Sequence, residues 1–237
     1  MKNCLVFIHL HRTGGTTLFR DVISPNIKGN VYHVYGYRRL PLNPPDNSFI
    51  RMHGAYGAHR LMPFYNVRYI TMMREPVDRC VSYYYNLLSR PHPLQRLAKN
   101  SSLEDFFKDP RFANVQTRFL AGFFYNRLYP VVRAKVFRER MLSAAKRHLR
   151  EMFCFGIYER LCESGWVMNR KFGWNFVHSL QQHNKNLSKR PKVEELSEAA
   201  LAVLKSCNDL DIRLYEYAQG LFGERHAQSE HSSWVQI

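Results

Sequence analysis

The sequence has little that could build a disulfide scaffold or a zinc module. Its five cysteines are an odd number, with no CxxC pair and no metal-ligand spacing. Sparse cysteine of this kind is typical of a reducing compartment, so we expect a cytoplasmic protein. Long apolar runs are missing too. No stretch reaches the roughly 18 apolar residues of a membrane-spanning helix, and the run Cys4–Ile8 is too short for a signal-peptide core.

Acidic residues are scarce as well. Asp and Glu number 19 against 35 Lys and Arg, which gives a formal net charge of +16. This excess predicts an anionic partner: nucleic acid, a nucleotide, a sulfated or carboxylated glycan, or a membrane surface. With 45% hydrophobic and 23% charged residues, the 237-residue chain is expected to be globular. We expect one domain over residues 1–223, followed by a polar, mobile tail over 224–237.

Buried strands alternate with helices along the chain. The apolar runs Cys4–Ile8, Val67–Met73 and Phe153–Tyr158 have the length and composition of parallel strands covered on both faces. A helix is predicted after each one, beginning with Leu18–Ile23 after the first strand. This alternation predicts an α/β fold with a central, mainly parallel sheet flanked by helices.

Helices are also predicted over much of the second half of the chain, the last two at 194–205 and 208–221. Residues 133–150 contain seven Lys or Arg and a single acid, Glu139. This stretch could be a solvated helix face or a patch that binds an acidic acceptor. The side chains expected to form its buried stripe are Val136, Phe137, Leu142, Ala145 and Leu149.

A glycine-rich turn between the first strand and helix has the features of an anion site. We call Arg12–Thr17 the phosphate loop; its sequence is Arg-Thr-Gly-Gly-Thr-Thr. Backbone N–H groups at the start of a helix favour bound anions, glycine permits close approach, and Arg12 adds a cation. The loop is not a Walker A motif, because its glycines are adjacent and no Lys follows them.

A second candidate anion site follows the strand Val67–Met73. Arg74 lies at the carboxyl end of that strand, where open α/β sheets bind ligands, and Ser82 lies about two helical turns further on. From the spacing alone, Arg74 could equally form a surface ion pair with Glu75 or Asp78, and Ser82 could be an ordinary helix serine.

Together these segments resemble the carbohydrate sulfotransferases that use 3′-phosphoadenosine 5′-phosphosulfate (PAPS), in the heparan-sulfate-type branch. Phe7–Leu18 is similar to their 5′-phosphosulfate loop, and Tyr69–Tyr85 to their 3′-phosphate segment. The resemblance covers roughly residues 5 to 222. Three further similar segments follow in order: Asn114–Gly122, Phe155–Arg160 and Asp209–Tyr217.

The resemblance implies a P-loop-NTPase-like sulfotransferase fold, PAPS as the donor, and no metal. Arg74 and Ser82 would hold the 3′-phosphate, while Lys189 and Arg190 would lie in a basic loop over the nucleotide or form a solvated turn. Arg12 stands where the family usually has Lys, and it would stabilise the leaving group. The residues implied to hold the 5′-phosphosulfate are Arg12, Thr13, Gly14, Gly15, Thr16 and Thr17.

The resemblance also identifies a candidate base. His53, at the end of a predicted strand, best matches the family's base histidine, and His59 is the second choice. A neutral histidine can take a proton from a sugar hydroxyl near pH 7. His9 and His11 flank the phosphate loop and are expected to pack or hydrogen-bond.

The predicted activity is in-line transfer of a sulfuryl group from PAPS to an acceptor hydroxyl. The resemblance favours a carbohydrate as the acceptor, and the net charge favours an acidic one. The predicted catalytic residues are Arg12 and His53, and His59 is the second candidate for the base. A P-loop-type kinase using ATP is the first alternative, although no Walker Lys is present. A nucleic-acid-binding protein is the second, suggested by charge alone; no known nucleic-acid-binding module is found in the sequence.

Overall fold

The computed structural model describes residues 1–132, 134–174 and 190–231. At its centre are the strands β1 (Lys2–Ile8), β2 (Val31–Tyr35), β3 (Ser48–His53), β4 (Tyr65–Met73) and β5 (Cys154–Ile157). They form one parallel sheet in the order β2-β3-β1-β4-β5. The predicted α/β fold with a mainly parallel sheet is therefore confirmed, and within the described residues every strand pair is parallel.

Helices cover both faces of the sheet. The chain leaves β1 through a short α1 that continues as a π-helical turn at Leu18–Ile23 and a 3₁₀ turn at Ser24–Asn26. The α-helices are α1 (Gly15–Thr17), α2 (Pro76–Ser89), α3 (Gln95–Lys99), α4 (Leu103–Lys108), α5 (Val115–Ala121), α6 (Phe123–Leu128), α7 (Lys135–Glu151), α8 (Leu161–Phe172), α9 (Glu198–Cys207) and α10 (Asp209–His231).

The central strand β1 separates two hydrophobic clusters because alternate side chains point to opposite faces of a sheet. Val6 and Ile8 pack in the cluster that includes buried residues of α5, α7 and α10. Phe7, between them, packs in the cluster formed with α8 and the π-helical turn. A third cluster joins α2 to α4 and α9. Both faces of β1 are covered by these clusters, which explains why the sequence shows a continuous apolar run at this strand.

The structure differs from the sequence expectation in three places. Helix α10 continues to His231, so residues 224–231 lie in a helix where a polar tail was expected. The penultimate helix begins at Glu198 and is preceded by a 3₁₀ turn at Val193–Glu195. Val136 is 63% exposed, so it lies outside the buried stripe of α7. Within the described residues, no helix is both long and apolar enough to cross a membrane.

Candidate active site

The phosphate loop connects the carboxyl end of β1 to α1, and it depends on its two glycines. Gly14 has φ +78°, a left-handed conformation that is unfavourable for any residue with a Cβ atom. A Cβ there would lie 2.5 Å from Cδ2 of Tyr158, and a Cβ on Gly15 would collide with the ring of His9. The loop can therefore pack against these two rings only if both positions are glycine, and it leads into α1, whose first backbone N–H groups are of the kind that favour an anion.

Arg12 joins the phosphate loop to α2. Its Nε donates to Oγ of Ser82 at 3.0 Å, and its Nη1 donates to Oδ1 of Asn86 at 3.0 Å. Burial, followed by the nearby cation Arg74, lowers the pKa of Arg12 to about 10, so it remains positively charged at neutral pH. The structure thus brings Arg12 and Ser82 together across 70 positions of sequence, although each came from a separate motif.

Arg74 occupies a buried position at the end of β4. It is 4% exposed, it donates through Nε to Oδ2 of Asp78 at 2.8 Å, and it donates through Nη1 to the backbone oxygen of Arg12 at 3.0 Å. Its guanidinium carbon lies 4.1 Å from the centroid of the Tyr158 ring. The ion pair with Asp78 is therefore buried on the Arg74 side, unlike the surface pair that spacing alone allowed. Arg190 pairs with the other oxygen of Asp78 at 2.5 Å.

The hydroxyl groups of the loop threonines have different surroundings. Thr13 is buried and donates to the backbone oxygen of Leu10 at 3.0 Å, so its hydroxyl stabilises the loop itself. Thr16 is partly exposed and accepts from Nη2 of Arg51 at 3.2 Å. Thr17 is buried in α1. Of the three hydroxyls, that of Thr16 is the most accessible to a ligand.

The backbone of Arg74 is held by a residue that the sequence reasoning missed. Gln116, at the start of α5, accepts from the Arg74 N–H at 3.1 Å and donates to the Arg74 carbonyl at 2.9 Å. Asp211 of α10 in turn accepts from the N–H groups of Gln116 and Thr117 at 3.1 and 2.7 Å. Burial raises the pKa of Asp211. The final helix therefore supports the position of Arg74 through one intermediate residue.

Three aromatic rings stack at the end of β3, and we call them the histidine stack: Tyr35, His53 and His11. The centroid of His53 lies 4.9 Å from that of Tyr35 and 4.7 Å from that of His11, with interplanar angles of 14° in both pairs. His9 lies against the same ring at 4.4 Å. His53 is the last residue of its strand, as predicted, and both flanking contacts fix the plane of its ring.

The histidines of this region are held in the neutral form. Burial, followed by the proximity of His11 and Arg51, lowers the pKa of His53 to about 3. Burial, followed by Arg79, lowers the pKa of His11 to about 4. Burial also lowers the pKa of His9, whose Nδ1 accepts from Nε of Arg51 at 2.9 Å. Arg51 is a second residue that the motifs did not identify; it connects His9 to Thr16 of the phosphate loop.

His59 lies in a different environment. It belongs to a 3₁₀ turn at Ala58–Leu61, its Nδ1 is 2.9 Å from Oη of Tyr69, and its ring packs edge-on against Tyr56. Its contacts within the described residues are with this tyrosine pair, whereas His53 contacts His9 and His11 beside the phosphate loop. The geometry favours His53 over His59 as a group that could act near the loop.

Lys189 falls outside the described residues, so of the predicted basic pair only Arg190 can be placed, beside Asp78. Arg12, Arg51 and Arg74 bring guanidinium groups, which suit phosphate and sulfate oxygens, to the carboxyl edge of the sheet. This set of donors fits a nucleotide that carries phosphate and sulfate groups. Within the described residues, no group of three or more His, Cys, Asp or Glu could hold a metal ion.

Known proteins resemble this chain along most of its length. The sequence profile of the galactose-3-O-sulfotransferase family matches residues 47–230, a range that includes Arg74 and Ser82 and begins after the phosphate loop. Heparan-sulfate 6-O-sulfotransferase 2 of Homo sapiens is 24% identical over 282 residues, covering 96% of this chain and 46% of that protein. The protein of the same name from Danio rerio is 28% identical over 275 residues, covering 93% and 58%. The chain thus spans about half the length of these relatives, and the resemblance seen in the motifs is confirmed.

Proposed function

Because the chain belongs to the galactose-3-O-sulfotransferase family, we propose that it transfers the sulfuryl group of PAPS to a hydroxyl of a carbohydrate. The observation that carries the proposal is the contact between the two anion segments. Arg12 of the phosphate loop is hydrogen-bonded to Ser82 of α2, and Arg74 is hydrogen-bonded to the backbone of Arg12. A nucleotide with phosphate groups on both the 3′ and the 5′ oxygens of its ribose would meet cations from both segments.

In this proposal the N–H groups of α1, Arg12 and Thr16 hold the 5′-phosphosulfate, while Arg74 and Ser82 hold the 3′-phosphate. The donor, when bound, supplies an activated sulfuryl group with a phosphate as leaving group. Arg12 places positive charge where negative charge develops on the leaving oxygen, and such fixed charge is a large source of rate enhancement. A guanidinium keeps the charge of the usual Lys and offers two donor directions.

His53 is the proposed general base. It is neutral at pH 7, its ring plane is fixed by Tyr35 and His11, and it lies beside the phosphate loop. A pKa near 3 makes a weak base, since proton transfer is most effective when the pKa lies close to the working pH. A bound anionic donor next to Arg51 would offset the positive charge of that residue and so raise the pKa of His53. The base would therefore gain strength when the donor binds.

The first test is ligand binding followed by thermal unfolding. Adenosine 3′,5′-bisphosphate should raise the unfolding temperature without Mg²⁺, whereas ATP with Mg²⁺ should have little effect. Arg74→Ala should weaken bisphosphate binding by about 10- to 150-fold, because a charge-assisted contact is worth roughly 1.5–3 kcal/mol. Stabilisation by Mg-ATP alone would instead support the kinase alternative.

The second test is transfer of labelled sulfuryl groups from PAPS into a panel of glycans. His53→Asn should lower turnover by about 10²–10⁴-fold with bisphosphate affinity nearly unchanged. His59→Asn is the matched control and should retain most of the activity. If His59→Asn loses activity while His53→Asn keeps it, the assignment of the base is wrong, although the assignment of the donor site would stand.

A further inference from the structure

A groove of about 520 Å³ runs between α6 and α7. Three cations line it: Lys135, Arg140 and Arg147, all on α7 and all exposed. Tyr125 of α6 forms part of the opposite wall, and the exposed hydroxyl of Ser143 lies between the two arginines in sequence. Because residues 140, 143 and 147 are spaced by three and four positions, their side chains share one face of the helix. We call this feature the cation groove.

The cations of the groove outnumber its acids, with three cations and one carboxylate among the described lining residues. With respect to the described residues, Lys135, Arg140 and Arg147 form no ion pair with a carboxylate. Arg138, on the same helix, does form one, with Asp209. The single acid that lines the groove, Glu139, accepts from both terminal nitrogens of Arg213 at 2.7 and 2.9 Å, so its charge is already compensated. The groove therefore presents a positive surface to any bound ligand.

Exposed aromatic rings connect the cation groove to the histidine stack. Phe124 lies 5.6 Å from the Tyr125 ring, and its neighbour Phe123 packs edge-on against Tyr37 at 5.1 Å. Tyr35, two residues before Tyr37, stacks on His53. Phe123, Phe124 and Tyr35 are 53%, 61% and 64% exposed. Three large rings left in solvent between the groove and the histidine stack are typical of a binding surface.

A second series of contacts leads the same way. Arg147 of the groove is followed in sequence by His148, whose ring stacks on Tyr56 at 4.0 Å. Tyr37 donates its hydroxyl hydrogen to the carbonyl oxygen of Tyr56 at 2.9 Å. Tyr37 thus contacts Phe123 of α6 on one side and, on the other, the carbonyl oxygen of Ala55, two residues after the proposed base.

We propose that the cation groove binds an anionic segment of the acceptor, namely sugar residues that carry carboxylate or sulfate groups, while a hydroxyl of the same glycan lies at His53. The inference rests on the proposed function, because it places the reacting hydroxyl there. Guanidinium and ammonium groups bind the acidic substituents, and the exposed rings contact the apolar faces of the sugars between them. A long acidic glycan therefore binds more tightly than a short one, because only the long one reaches both places.

The experiment compares three proteins: the unaltered chain, the triple variant Lys135→Gln/Arg140→Gln/Arg147→Gln, and a control triple variant. The control, Lys28→Gln/Arg96→Gln/Lys205→Gln, removes three other exposed cations and so has the same net charge. Binding is measured by calorimetry with heparin fragments of four and of twelve sugars, with a neutral galactan fragment, and with a DNA duplex of matched charge. Thermal unfolding and bisphosphate affinity are measured for every protein.

We expect the groove variant to bind the twelve-sugar fragment about tenfold to a hundredfold more weakly, since each exposed ion pair contributes a few-fold at most. The four-sugar fragment should lose little, the control variant should behave as the unaltered chain, and the difference should shrink as salt is added. Equal losses in the two triple variants, or equal binding of DNA and of the long glycan by the groove, would overturn the proposal. Bisphosphate binding reports separately on the donor site. If none of the three proteins binds the bisphosphate, the proposed function is wrong, whatever the glycan measurements show.

Discussion

Acidification from pH 7 to pH 5 should destabilise the fold through the histidine stack. The pKa values of His53 and His11 are about 3 and about 4 in the folded chain, against 6.5 for an unperturbed histidine. Because the folded values lie below the unfolded value, the unfolded chain binds more protons between pH 4 and 6.5. The stability contributed by each neutral histidine is therefore complete above pH 6.5 and is lost as the pH falls below it.

The size of the loss follows from the shift. The pH of 5 lies about 1.5 units below the pKa of a histidine in the unfolded chain, and each unit is worth about 1.4 kcal/mol. Keeping His11 or His53 neutral therefore lowers the free energy of unfolding by about 2 kcal/mol for each residue. Their sum of about 4 kcal/mol is a large part of the 5–15 kcal/mol that typically stabilises a domain. His9 acts in the same direction. The arginines that face these rings are Arg51, beside His9 and His53, and Arg79 and Arg12, beside His11.

The measurement is urea unfolding at pH 7 and pH 5, followed by tryptophan fluorescence. His53→Asn and His11→Asn should each reduce the acid-induced loss of stability by about 2 kcal/mol, because asparagine does not titrate. Ile23→Val is the control: it removes a buried methyl group and costs about 0.5–1.5 kcal/mol at both pH values, with the acid-induced loss unchanged. If His53→Asn loses as much stability on acidification as the unaltered chain, the reasoning about its burial is refuted.

Three further outcomes are expected. Gly14→Ala should destabilise the fold by about 1–3 kcal/mol and abolish bisphosphate binding, because residue 14 has positive φ and the new methyl group would collide with Tyr158. Thermal unfolding tests the first effect and calorimetry the second. Gln116→Leu should lower bisphosphate affinity about tenfold, since Arg74 loses two backbone hydrogen bonds, and unchanged affinity would contradict this. If donor binding raises the pKa of His53, the acid limb of kcat should lie at higher pH than that of kcat/KM, provided that the chemical step limits turnover.

The parts of the fold that sequence predicted well are those set by local composition. Cys4–Ile8 is apolar because β1 is covered on both faces, and the Gly-Gly pair marks a turn that only glycine can form. The extension of α10 to His231 was missed for a related reason. The sequence of residues 224–231 has no apolar stripe, yet Glu, Arg, Ala and Gln are good helix formers, so the helix continues where the hydrophobic pattern gives no signal for it.

The parts that could not be predicted depend on distance in space between residues far apart in sequence. His11 and His53 stack because β1 and β3 are neighbours in the sheet, a pairing that no periodicity encodes. Asn86 meets Arg12 across 74 positions, and Gln116 meets Arg74 across 42. Each of these residues has an ordinary local context, so only the folded chain shows its partner.

The support of Arg74 by the final helix has a consequence for biosynthesis. Gln116 depends on Asp211, so the 3′-phosphate segment is not fully held until residue 211 has been made. A ribosome adds roughly 5–20 residues per second, so about 10–40 s pass between synthesis of the phosphate loop and synthesis of residue 211. If the proposed donor site is correct, a nascent chain would hold that site incompletely during this interval. Tight binding of the donor would then begin only when synthesis of the domain is nearly finished.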